Sequence, residues 1–138
     1  MKNVFLLALC GFVTGTLLAR IEPAYGVDAF KKEFESKYVK KDAADGPEKE
    51  LAEAVTKAKC NVCHVGMNKK TRNDYGKALA KLLKKTDAKN TAKIQEMLEK
   101  VAGEKSSASD GSSPTFGELI KQGKLPGGAS AAPAAGGN

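Results

Sequence analysis

Two thiols and an imidazole within five residues, Cys60-Asn61-Val62-Cys63-His64, constrain this chain more than anything else in it. Two intervening residues curve the backbone so that both thiols reach one side of a single object. The imidazole that follows is then held against the same object, and any fold must be built around that point. Cys-x-x-Cys-His is the spacing of c-type haem attachment. Each thiol adds to one of two vinyl groups on one side of the porphyrin, and His64 is left beneath the iron as a neutral proximal ligand.

Other chemistries of these residues fit less well. A structural zinc site takes four tetrahedral ligands, but Cys60, Cys63 and His64 are three and the chain has one His. A thioredoxin-type pair belongs near a βαβ pattern, and none is present.

The N-terminus indicates export, the step that precedes haem attachment. Lys2 is a short positive region, residues 4–18 are apolar apart from small residues and Thr14 and Thr16, and Ala24-Tyr25-Gly26 offers small residues where a signal peptidase inspects. Residues 1–26 are therefore expected to be a signal peptide cleaved after Gly26. The apolar run is shorter than the roughly 20 residues of a membrane span, so no span is expected after cleavage. Cys10 lies inside the apolar region, behind Leu9 where a lipoprotein signal wants a small residue, and is expected to leave with the signal. The two remaining cysteines are both in the pentapeptide, with no thiol spare for a disulfide framework.

Cleavage leaves 112 residues (138 − 26) and, with Lys2, Arg20 and Glu22 gone, lowers the formal charge from +7 to +6. A chain of this length makes one small domain, and a large apolar ligand would serve as part of its core. A Lys-rich surface steers acidic partners. Arg72 is the only Arg after residue 26 and aromatics are few, which argues against nucleic acid. The expected partners are acidic redox proteins or membrane-bound oxidoreductases.

The periodicity after residue 26 is helical, with no useful strand alternation. Asp28 is positioned to cap a first helix in which Phe30, Phe34 and Tyr38 form one stripe. After a turn at residues 42–46, Pro47 suits the first turn of a second helix, with Leu51, Ala54, Val55 and Ala58 on one face, leading straight into Cys60. Gly66 to Lys70 reads as a polar turn. Thr71 or Asn73 caps a third helix carrying Tyr75, Leu79, Leu82 and Leu83, and Asn90 or Thr91 begins a fourth with Ile94, Met97, Leu98 and Val101, ending near Gly103. Residues 104–113 read as a flexible Ser-rich loop. Thr115 and Glu118 have capping-box spacing, opening a short helix through Phe116, Leu119 and Ile120 that Gly123 stops. Residues 127–138 are a Gly, Ala, Ser and Pro tail expected to be disordered.

A helix entering Cys60-x-x-Cys63-His64, followed by short helices in an exported chain of this size, resembles the small single-haem cytochromes c. The segment Arg72-Asn73-Asp74-Tyr75-Gly76-Lys77-Ala78-Leu79 is also similar to a pattern in a group of exported bacterial haem c proteins. The resemblance covers roughly residues 30–125, and only Cys60, Cys63 and His64 carry over residue by residue. It implies an all-α domain over residues 27–126 wrapped around one haem, a periplasmic location, and one-electron transfer without chemistry on a substrate.

The chain departs from that pattern at the sixth iron ligand. Small cytochromes c place a Met in a loop before the last helix, and residues 104–113 contain none. Met67 is three residues from His64, at most roughly 11 Å of chain, too short to pass around a porphyrin. Met97 is the remaining sulfur candidate, although its helical apolar position suits a core residue. A Lys, Tyr or other ligand, or an open position, are the alternatives. A permanent sixth ligand suits an electron carrier, whereas an exchangeable one suits a sensor or small-ligand binder. Peroxidase chemistry would need distal acid–base groups, and the sole His is already used.

Overall fold

The computed structural model describes residues 26–66, 68–107 and 110–128. Residues 1–25, which hold nearly all of the expected signal peptide, Met67, and residues 129–138 of the expected tail lie outside the described residues. The fold is mostly helical. Helices α1 (Gly26–Tyr38) and α2 (Gly46–Ala58) come first, then a 3-10 turn (Lys59–Val62) and a two-stranded sheet of β1 (His64–Val65) and β2 (Asn68–Arg72). Helix α3 (Asp74–Leu82), a second 3-10 turn (Lys85–Lys89), α4 (Thr91–Ala102) and α5 (Phe116–Lys121) complete it. No helix among the described residues is long and apolar enough to cross a membrane.

Helix α4 is the centre of the packing, meeting α1, α3 and α5. Its Ile94, Leu98 and Val101 are all fully buried, as expected for apolar residues recurring every three or four positions. Phe34 from the α1 stripe, Tyr75 from α3 and Phe116 from α5 meet in an edge-on aromatic chain with ring centroids 5.8 and 5.2 Å apart. Such pairs add to the area term of roughly 1.5–3 kcal/mol for burying each large side chain. Polar ties fix α1 on α4: Gln95 Nε2 donates to the Glu33 carboxylate at 2.6 Å, and the Tyr38 hydroxyl donates to the Leu98 carbonyl at 3.1 Å.

Several helix ends follow the side chains named for them. Asn73 and Asn90 cap α3 and α4 by accepting from Gly76 N and Lys93 N, and Thr115 with Glu118 forms a reciprocal capping box at α5. Gly123, just past α5, has φ +75° and sits so close to α2 that a Cβ would lie 2.6 Å from the Pro47 carbonyl oxygen. The other end of α5 is tied back by Phe116 N donating to the Glu104 carbonyl and by Ser106 N donating to that of Pro114, so the Ser-rich segment is closed at its base.

The structure departs from the helical reading in three places. Asp28 lies within the first turn of α1 instead of capping it, where its carboxylate still opposes the helix dipole favourably. The polar turn after His64 is a hairpin: β1 pairs antiparallel with β2, His64 opposite Arg72, around Gly66 at φ +63°. A two-residue strand facing a polar one carries no period-two signal, because its pairing is made by backbone groups. The 3-10 turn over Lys85–Lys89 is likewise local, opened by Lys84 N donating to the Asp87 carboxylate at 2.8 Å.

Candidate functional site

The pentapeptide sits at a break in the chain. Helix α2 ends at Ala58, and Lys59 takes φ 51° and ψ −114°, the only positive φ at a non-glycine among the described residues. That conformation is sparsely populated for a residue with a Cβ. It turns the backbone out of α2 into the 3-10 turn that carries Cys60, Asn61 and Val62, and the hairpin then begins at His64.

Cys60, Cys63 and His64 all line one cavity of about 400 Å³. Val62, Phe30 of α1 and Gly76, Leu79, Ala80 and Leu83 on and beyond α3 supply its apolar wall. Lys31, Lys59, Lys69, Arg72, Lys84 and Lys85 also line it, against a single carboxylate among the described residues, Asp28. The cavity therefore combines an apolar interior with an excess of cations, a pairing suited to an apolar ligand that bears anionic groups.

His64 is 8 % exposed and its Nδ1 lies 3.3 Å from the Thr71 carbonyl oxygen, across the hairpin. A carbonyl oxygen only accepts, so in the neutral imidazole this bond places the proton on Nδ1 and the lone pair on Nε2. The two cysteines are free thiols. Burial pushes the Cys63 thiol up to about 12, helped by Cys60 and opposed by the Arg72 guanidinium, so it is a neutral S–H in the folded chain. Among the described residues no cluster of three or more His, Cys, Asp or Glu side chains is arranged to hold a bare metal ion.

Met97 lies elsewhere. It is half-buried against the hydrophobic core and is not among the residues lining the cavity. Helix spacing explains this: Met97 neighbours Ile94, Leu98 and Val101 on the face of α4 that packs inward. Lysines do line the cavity, and among the described residues no tyrosine does.

The sequence signals missed how the pentapeptide is held. Asn73 was legible as a helix cap, but its amide Nδ2 also donates to the carbonyls of Asn61 at 3.0 Å and Val62 at 3.1 Å, with that of His64 at 3.5 Å. Its backbone N donates to the Cys63 carbonyl at 3.2 Å. Gly76 lets α3 approach so closely that a Cβ there would stand 1.9 Å from that same carbonyl oxygen. These contacts, like the Thr71 carbonyl beneath His64, involve main-chain atoms that every residue type possesses.

No protein-family profile, curated protein or solved structure matches this chain.

Proposed function

We propose that this chain is an exported monohaem c-type cytochrome, all-α in its essentials, that passes single electrons between redox partners. The observation that carries the reading is the convergence of Cys60, Cys63 and His64 on one apolar cavity, with His64 Nδ1 engaged by the Thr71 carbonyl. Cys60 and Cys63 would hold the haem covalently, through one thioether each. His64 would ligate the iron through Nε2, oriented by the bond on its other nitrogen. The bound haem supplies a one-electron iron couple, tuned by axial ligation and burial.

The chain's own residues do the rest. Phe30, Val62, Leu79 and Leu83 exclude water from the cavity, and its lysines with Arg72 offset anionic substituents of the ligand. The same cations make the cavity's surroundings basic, which steers acidic redox proteins or membrane-bound oxidoreductases toward it. The sole imidazole is committed to iron, so the chain has no distal histidine for acid–base chemistry and is read as a carrier, not an enzyme. The location that goes with this reading is the periplasm, or the outer face of the cytoplasmic membrane.

One observation favours a second reading, a haem-based sensor or small-ligand binder: Met97 is not on the cavity wall, which leaves the sixth position to a lysine or to an exchangeable ligand. Absorption spectra of the holo-protein in both oxidation states, with and without carbon monoxide, separate the two. A carrier gives a low-spin, six-coordinate spectrum that carbon monoxide changes slowly. A high-spin resting spectrum with rapid carbon monoxide binding would replace the carrier by the sensor. Absence of covalent haem after production with a working cytochrome maturation system would overturn both.

A further inference from the structure

We propose that Asn73 is a positioning residue for haem attachment, clamping the backbone of the pentapeptide so that both thiols and the His64 imidazole face the cavity together. The inference rests on the haem reading above. Asn73 is 3 % exposed and lies between β2 and α3, outside the pentapeptide. Its cap duty uses only Oδ1, which accepts from Gly76 N at 2.9 Å. The other half of the amide is not needed to start a helix. Nδ2 has two N–H groups, and both are spent on the pentapeptide, reaching the Asn61, Val62 and His64 carbonyls.

With the Asn73 backbone N on the Cys63 carbonyl, one residue reaches the carbonyls of four consecutive residues, 61 to 64. Peptide planes fixed in this way fix the directions in which the Cys63 and His64 side chains leave the backbone. The clamp is also closed from outside. A Cβ on Gly127 would lie 2.1 Å from Asn73 Nδ2, so the backbone at residue 127 rests on the amide, next to the fully buried Pro126. A side chain used merely to cap α3 would need neither the donors nor the cover.

The test uses two variants made beside the wild type with a cytochrome maturation system. Asn73→Ser keeps a good helix cap but deletes both amide donors. Helical content by far-ultraviolet circular dichroism is expected to be unchanged. Intact mass is expected to show about tenfold fewer chains with both thioethers, at the low end of what losing an outer partner of a ligand costs. The loaded remainder should show a shifted midpoint potential, because His64 is less well oriented. Should Asn73→Ser lose its helical signal, Gly127→Ala decides, since its Cβ presses on the Asn73 amide hardest at Nδ2 and least at Oδ1, and it replaces no residue of the cap or the pentapeptide. It is expected to lower double attachment and shift the potential in the same directions. A wild-type thioether count and potential in the deciding variant overturn the clamp while leaving the haem reading intact. A wild type that acquires no haem overturns the reading and the clamp together.

Discussion

Two walls of the molecule, the pentapeptide lining the cavity and the aromatic core set back from that lining, are held by different physics. On one, the pentapeptide is fixed by directional bonds from Asn73, from the Thr71 carbonyl and from the close approach of Gly76. On the other, Phe34, Tyr75, Phe116 and the inner face of α4 are held by packing. Packing tolerates small adjustments at the cost of stability, whereas directional bonds to main-chain carbonyls set angles. A site that must aim three side chains at one ligand gains more from the second kind. The scaffold beneath it needs only the first.

Substitutions can separate the two walls. Leu98→Ala removes a fully buried side chain from α4 and is expected to cost about 2–5 kcal/mol, read from urea unfolding, with both thioethers still formed. If attachment falls in proportion to stability, the two walls are not separable. Gly76→Ala is the opposite case. Its Cβ would meet the Cys63 carbonyl oxygen at 1.9 Å, and the expected overpacking cost of about 1–3 kcal/mol outweighs the helix propensity gained. It should also reduce double attachment in the intact mass, which Leu98→Ala does not.

Thr115→Ala breaks the capping box of α5, on the packing side, and is expected to cost about 1 kcal/mol without moving the haem spectrum. Tyr75→Phe runs the other way. The Tyr75 hydroxyl is buried with no hydrogen-bond partner among the described residues, so deleting it is expected to raise stability by about 1 kcal/mol in thermal unfolding. A loss instead would mean that the hydroxyl is paired in solution.

The smallest effect is in pH. Burial, with the Glu99 carboxylate, raises the Tyr38 phenol from 10.0 to about 12. Its folded form holds the proton more tightly than its unfolded form. Its contribution is therefore complete below pH 10.0 and lost as pH climbs toward about 12. Urea midpoints across that window should fall less in Tyr38→Phe than in the wild type.

The same division explains what could be seen in the sequence. The packed side announced itself: Ile94, Leu98 and Val101 mark the inner face of α4 by spacing, and Thr115 with Glu118 marks the start of α5. The cavity-lining groups were legible because Cys60, Cys63 and His64 are rare types at a rare spacing. What supports them was not. The hairpin, the Thr71 acceptor and the three carbonyls under Asn73 are backbone features, and an asparagine before a helix reads as a cap whether or not its other end is occupied. Met97 shows the converse, since a side chain capable of ligation was placed by helix periodicity on the packed side.

The seat of Gly127 on the Asn73 amide has a consequence in time. Residue 127 follows His64 by 63 positions, so in a chain delivered from its N-terminus the pentapeptide emerges well before the piece that closes over it. Until then the Asn73 amide lacks the backbone that covers it from outside. Arrival of residue 127 then shuts the joint, so the clamp that aims the pentapeptide is the last part of the site to be completed.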